Sequence, residues 1–392
     1  MNKAKYTRYR SKRLRQKNSR RLVLLAVLTI ALFGLLAIAV YYNLGYFVSP
    51  FSNSAVYGSL DIGLTPKPEA TLLPQLDLVP KLPAPSPAPE FERLIVKDPD
   101  VYTIGWISDT QHYAGKYPEL YLLLTEFLAK EKDKLRLEYI VHTGDLVHNF
   151  ADQDEWAVAK RAMQALNNIP FGVLAGNHDI GKGLEFTHYG KYFGEAAMKA
   201  RPNCSYYGGS YQNNRGHYDL ISLGSRNFVF VYMSYSPDSA CIRYVNKIFK
   251  KYNEHVGVLC VHDYFNSDMS YSAQGRLLFE KVVKANPNLY LIMCGHRYMV
   301  GHTKVTLNDG HNEPKRIVYE LMSNYQAAGP KGGSAYMQFL QIDEQKGEVR
   351  VLSYSPYTKD FRYHDTPGAE FEKYPVPPEN EEYTFPIPWS NN

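Results

Sequence analysis

From Val101 to Tyr363 two hydrophobic periods alternate along the chain. Short apolar runs end in polar clusters, and stretches with apolar residues three and four apart follow them. The first run is Val101–Ser108. After it, Leu120, Leu123, Leu124, Phe127 and Leu128 fall at i, i+3, i+4, i+7 and i+8, the spacing of one helix face. Glu138–Thr143 predicts a second strand, and Trp156, Ala159, Met163 and Leu166 mark a second helix. Phe171–Ala175, Val256–Val261 and Leu289–Cys294 predict further buried strands, with a helix around Leu277–Val283 between the last two. This rhythm predicts a mostly buried sheet with crossover helices. His217–Leu223 and Phe228–Tyr235 alternate with period two around Gly224-Ser225-Arg226-Asn227 and read as a hairpin. Ile317–Tyr325, Tyr336–Ile342 and Glu348–Ser353 read as a C-terminal meander. The expected architecture is α/β, with two sheets face to face and helices outside.

The N-terminal pattern is different. Leu22–Tyr42 is apolar and carries no charge. As a helix it would be about 31 Å long, enough to cross a bilayer. Tyr41, Tyr42 and Tyr46 would stand at the far interface. The alternative is a cleaved signal peptide, for which Ala37-Ile38-Ala39 offers a small-residue site. A signal core is typically about 7–15 residues, shorter than this segment. Residues 65–90 then hold eight prolines, which fix φ and remove donors, so they build a spacer rather than a core. The expected organisation is a basic cytoplasmic tail (1–21), a transmembrane helix or signal anchor (22–42), a Pro-rich stalk (43–97), a globular domain (98–364) and a Pro- and Glu-rich tail (365–392).

Charge supports this reading. The net +5 over 392 residues invites a nucleic-acid partner. Residues 1–21, however, hold ten basic residues and no acid, so the remaining chain carries −5. The basic block keeps the N-terminus in the cytoplasm and places the globular part outside it. No nucleic-acid module is evident. An apolar fraction of 45% excludes a mostly disordered chain, and four cysteines exclude a disulfide scaffold. Cys204 and Cys241 lie in loop-like stretches where a disulfide is permitted but cannot be derived.

Five of the buried runs end in residues that ligate metals or move protons. They are Asp109 and Gln111, Asp145, Asn177 with His178 and Asp179, His262, and His296 with Tyr298. A single such end carries no signal. Five in one βα repeat do, because strand C-termini converge on one crevice. Gly144, Gly176 and Gly295 precede these groups where the backbone turns sharply. His142 reads as a structural group in a buried strand. His148 and Asn149 either contact substrate or cap the next helix.

These motifs, Asp109-Thr-Gln111, Gly144-Asp145, Gly176-Asn177-His178-Asp179, His262 and Gly295-His296-Arg-Tyr298, resemble the calcineurin-like metallophosphoesterase family over about residues 100–355. The resemblance implies a four-layer α/β/β/α sandwich holding two divalent metal ions, Mn, Fe or Zn. It implies that Asp145 bridges the metals, that Asn177, His262 and His296 complete one site, and that Asp109 anchors the other. His178 would protonate the leaving alcohol or stabilise the transition state, and Asp179 would orient His178. Two departures weaken the Asp109 site. Gln111 stands where the family has His, and Tyr298 where the last His belongs. His112 or His302 is a nearby substitute, though neither has the motif's offset. The expected function is hydrolysis of a phosphomono- or phosphodiester by a membrane-anchored, extracytoplasmic enzyme. The alternative is a surface binding protein on a degenerate phosphoesterase scaffold.

Overall fold

The computed structural model describes residues 91–166, 168–308, 315–326, 330–365 and 376–389. The basic tail, the 22–42 segment and the stalk up to residue 90 lie outside the described residues. Among the described residues no helix is long and apolar enough to cross a membrane.

Thirteen strands appear in chain order: β1 (Val101–Ile107), β2 (Leu137–His142), β3 (Phe171–Val173), β4 (Tyr207–Tyr211), β5 (Gly216–Leu223), β6 (Arg226–Met233), β7 (Val256–Val261), β8 (Leu289–Cys294), β9 (Val300–Leu307), β10 (Arg316–Ser323), β11 (Met337–Asp343), β12 (Glu348–Tyr354) and β13 (Glu382–Pro386). One sheet runs β13-β12-β11-β1-β2-β3 and the other β4-β5-β6-β7-β8-β10-β9. In the first, β1, β2 and β3 are parallel. In the second, β6, β7, β8 and β10 are parallel.

The unbroken apolar runs have a direct structural cause. On β6, Phe228, Phe230 and Tyr232 face the core shared with β1, β2 and β3. Val229, Val231 and Met233 face the other way, into a second core. That core includes Val245, Ile248 and Phe249 of the helix Ser239–Lys251. Tyr139 of the first sheet meets Phe230 of the second with ring centroids 4.4 Å apart. The protein is therefore a mixed α/β fold with two sheets packed face to face. The predicted helix after β1 spans Pro118–Leu135 and buries Leu120, Leu124 and Leu128. Its final residue is followed by Arg136 in the left-handed region, which ends it.

One expectation about the C-terminal part needs correction. The run Ile317–Tyr325 is not the first strand of a meander with β11. It forms β10 in the opposite sheet, parallel to β8 and antiparallel to β9. Its partner β9 is half exposed, with burial alternating weakly, so no apolar run marked it. Residues 376–389 contribute β13 to the edge of the first sheet, with Phe385 and Trp389 buried. Glu381 there accepts the Tyr363 N–H at 2.6 Å, tying the segment back to the domain.

Candidate metal centre

Strands β1, β2 and β3 in one sheet and β7, β8 and β10 in the other each run out into a polar loop. Asp109 follows β1, Asp145 follows β2 and His296 follows β8. All three have positive φ, at 53°, 56° and 74°. Non-glycine residues rarely sit there, although Asp and His tolerate it better than most, and each costs about 1–3 kcal/mol. Such strain persists only where the surroundings hold it. The Asp109 N–H donates to the Gly144 carbonyl at 3.0 Å, and the Gly295 N–H donates to the His262 carbonyl at 3.1 Å.

The glycines act by two different means. Gly144 has φ +98°, a turn conformation that favours glycine. Gly176 is required by close approach instead. A Cβ there would lie 2.1 Å from Asp145 Oδ1 and 2.5 Å from the Asp145 backbone N. Gly176→Ala must therefore push Asp145 out of place. It is expected to lower stability by about 1–3 kcal/mol and to reduce bound metal, as read by thermal melting and elemental analysis.

Asp145, His262 and His296 offer ligand atoms that all lie within 4.8 Å of one another. Asp145 is 1% exposed. Its Oδ1 lies 3.3 Å from His262 Nε2 and accepts the His178 N–H at 2.9 Å. His262 Nε2 also faces Asn177 Oδ1 at 3.1 Å, and Nδ1 faces the Thr143 carbonyl at 2.8 Å. Both ring nitrogens thus face acceptors, an arrangement that favours the doubly protonated ring without a cation, and Nε2 must give up its proton to ligate one. Burial works to lower the His262 pKa, but the Asp145 and Asp109 carboxylates outweigh it and hold it at about 10. His296 shows the opposite balance: burial and the neighbouring His262 charge push it down to about 3. Burial drives Asp109 up to about 7, with Asp145 adding to the shift against the pull of His262.

This donor set fits a divalent cation. One carboxylate, two imidazoles and the Asn177 amide oxygen converge, and the Thr143 carbonyl holds Nδ1–H so that Nε2 points into the cluster. Both nearby thiols, Cys260 and Cys294, are buried in strands, and burial raises their pKa well above the ordinary value. All four cysteines are free thiols, so Cys204 and Cys241 are not bridged. An imidazole and oxygen set without thiolate suits Mn, Fe or Zn.

The second half of the centre departs from expectation. Gln111 is buried at the start of a short helix, Gln111–Lys116, and its Nε2 donates to Asp145 Oδ2 at 3.0 Å. Tyr298 is 44% exposed, a surface position rather than a place among the buried ligands. His302 lies within β9, its ring stacked on Tyr383 at 3.7 Å. His112 stacks on His148 at 5.6 Å. A residue that sequence reading missed closes this side. Gln326 follows β10 and donates from Nε2 to Asp109 Oδ1 at 3.3 Å. Its signal was present, since the apolar run of β10 also ends in a polar cluster, Ser323-Asn324-Tyr325-Gln326. Assigning that run to a meander removed it from view. Tyr235, just after β6, was missed too; its ring lies 6.1 Å from His262 and 5.8 Å from His296.

His178 stands beside the cluster with its backbone bonded to Asp145. Its Nδ1 faces the His148 carbonyl at 2.8 Å, and the two rings stack at 5.1 Å. Asp179 therefore does not orient His178 as expected. Its Oδ1 accepts the Leu146 and Val147 N–H groups at 2.8 and 3.0 Å, and its Oδ2 accepts the Gly176 N–H at 2.8 Å. Asp179 ties the loop after β2 to the loop after β3. Asp152, not His148 or Asn149, caps the helix Gln153–Gln164. His142 is structural as expected: Nδ1 accepts the Gly144 N–H at 3.2 Å and Nε2 meets Thr110 Oγ1 at 3.0 Å.

Two layers of strand ends around a carboxylate and imidazole cluster define a metallophosphoesterase-type site, and comparison with known families agrees. Residues 102–321 match the family of calcineurin-like phosphoesterases, and the chain belongs to that family. It is 39% identical over 271 residues to the uncharacterized protein YvnB of Bacillus subtilis (strain 168), covering 68% of this chain and 21% of YvnB. It is 24% identical over 187 residues to a probable cyclic nucleotide phosphodiesterase of Colwellia psychrerythraea, covering 46% of this chain and 62% of that protein. The chain thus spans about a fifth of one curated relative and under two thirds of the other. Among solved structures, purple acid phosphatase PPD1 from yellow lupin seeds aligns with a TM-score of 0.45 and 11% identity, over 73% of this chain and 54% of that one.

Proposed function

We propose that the chain is a metal-dependent phosphoesterase that hydrolyses phosphomono- or phosphodiesters on a four-layer α/β/β/α scaffold. The observation that carries this reading is the convergence of Asp145, His262 and His296 within 4.8 Å, with His178 alongside. When bound, a pair of divalent cations polarises the phosphoryl oxygens and supplies a nucleophile at neutral pH. Asp145, held by His262 on one side and Gln111 on the other, would be the carboxylate shared by the two cations. Asn177, His262 and His296 would hold one cation, and Asp109 would anchor the other. His178 moves the proton to the leaving alcohol. With Nδ1 held by the His148 carbonyl, Nε2 is its free proton-transfer atom. The description of the Colwellia relative supports keeping diesters among the substrates to be tried.

The test is turnover of an aryl phosphate monoester and an aryl diester by the purified full chain with added Mn²⁺. Metal-dependent hydrolysis of either supports the reading; none on any phosphate ester counts against it. His178→Ala is expected to lower kcat about 10²–10⁴-fold while bound metal stays the same. Unchanged kcat in that variant removes His178 from the mechanism.

The reading extends to location. Residues 22–42 anchor the chain in a membrane, and the basic residues of 1–21 keep the N-terminus cytoplasmic. N-terminal sequencing of the mature protein tests this, and a start at Val40 would overturn the anchor.

A further inference from the structure

The half of the centre around Asp109 contains two buried carboxamides with a shared oddity. Gln111 is 1% exposed and Gln326 is 5% exposed. Each donates its amide N–H to one of the two central carboxylates, Gln111 to Asp145 Oδ2 at 3.0 Å and Gln326 to Asp109 Oδ1 at 3.3 Å. In each, the amide oxygen Oε1 is buried and has no hydrogen-bond partner. A buried polar atom left unpaired is destabilising. Two of them, on the two side chains that flank the same pair of carboxylates, call for a common explanation.

We propose that Gln111 and Gln326 are oxygen ligands of the second cation, so that Asp109, Asp145, Gln111 and Gln326 form an all-oxygen half-site selective for a hard divalent ion such as Mn²⁺ or Mg²⁺. The proposal rests on the dinuclear reading above and assigns the ligands and selectivity of its weaker half. A carboxamide is nearly symmetric in shape, so half a turn about its last torsion exchanges oxygen for nitrogen without needing new space. After that turn, each Oε1 points where its N–H now points, toward the carboxylates that hold the cation. Each oxygen then gains the cation as its partner, the NH2 takes the place the oxygen left, and the carboxylates exchange two N–H donors for a divalent charge.

The composition of the half-site sets its preference. His302 is stacked on Tyr383 within β9 and brings no imidazole to this half, and Tyr298 is exposed. Carboxylate and amide oxygens favour Mg²⁺ and Mn²⁺, whereas imidazole favours Zn²⁺ and its neighbours. The two halves therefore take different metals. His262 and His296 make one half nitrogen-rich, and the Gln111 and Gln326 half is oxygen-only. Gln326 is positioned for this by its own loop, where its N–H donates to Asn324 Oδ1 at 2.9 Å.

The test is metal competition on the full chain in detergent, read by elemental analysis and by the Mn²⁺ paramagnetic resonance signal. Wild type equilibrated with equimolar Zn²⁺ and Mn²⁺ is expected to hold one of each. Gln326→Leu should keep the Zn²⁺ and lose Mn²⁺ affinity by at least tenfold, with its circular dichroism unchanged. Gln326→His should move the second site toward Zn²⁺, giving two Zn²⁺ per chain. If Gln326→Leu does not fold, Gln326→Glu and Gln326→His decide: Glu should retain or tighten Mn²⁺, and His should reverse the selectivity. Two Zn²⁺ in wild type, or unaltered selectivity in the folded Gln326 variants, overturns the proposal while leaving a dinuclear enzyme intact. A chain that binds no metal at all overturns both.

Discussion

Asp145→Asn is expected to reduce kcat/KM by at least about 10³-fold, equivalent to about 4 kcal/mol of transition-state stabilisation. The substitution keeps the size of the side chain and removes its charge. Asp145 is held from both sides, by His262 at 3.3 Å and Gln111 at 3.0 Å. An amide in its place offers one oxygen where two are required, so one cation is lost or both bind weakly. Elemental analysis should show less than two metals per chain. The fold should survive, because Asn can still accept the His178 N–H that Asp145 Oδ1 now takes at 2.9 Å. Activity within tenfold of wild type would exclude Asp145 as the bridging ligand.

Asp179→Ala is expected to lower stability by about 3–5 kcal/mol, because it strands three buried backbone donors at once. Leu146, Val147 and Gly176 all donate to this carboxylate, which is itself 1% exposed. Burial pushes the Asp179 pKa up to about 7, with Asp145 adding to the shift, while the three N–H donors oppose it. Urea unfolding measures the loss. This prediction separates two roles. An orienting residue for His178 would leave a stable protein with the kinetic defect of His178→Ala. A tie between the loops after β2 and β3 gives a fragile protein instead. A stable Asp179→Ala variant impaired only in kcat would restore the orienting role.

The candidate site residues were legible because each stands within a few residues of the end of a buried strand. The motif Gly176-Asn177-His178-Asp179 marks the end of β3 whatever its neighbours do. The roles were less legible. Asp179 follows His178 in sequence and looked like its partner, but the loop geometry turns its carboxylate toward backbone donors of the preceding loop. His148 supplies the carbonyl that holds His178, and a backbone acceptor has no signature in sequence. Tyr298 sits two residues after His296, yet the turn made by His296 at φ 74° precedes a tyrosine that is solvent-exposed.

Gln326 shows the same division. Its strand was found, but the sheet that strand joins was not, because strand order depends on contacts between residues far apart in the chain. Register Tyr319 to Leu291 places β10 beside β8 and carries Gln326 to Asp109, 217 residues away. Local hydrophobic period and strand-end chemistry are short-range, so the sequence alone determined the α/β class, the family resemblance and the candidate donors Asp145, His262 and His296. Which strand end comes to Asp109 is a matter of long-range pairing and of where side chains turn after the strand, and only the tertiary structure decided it.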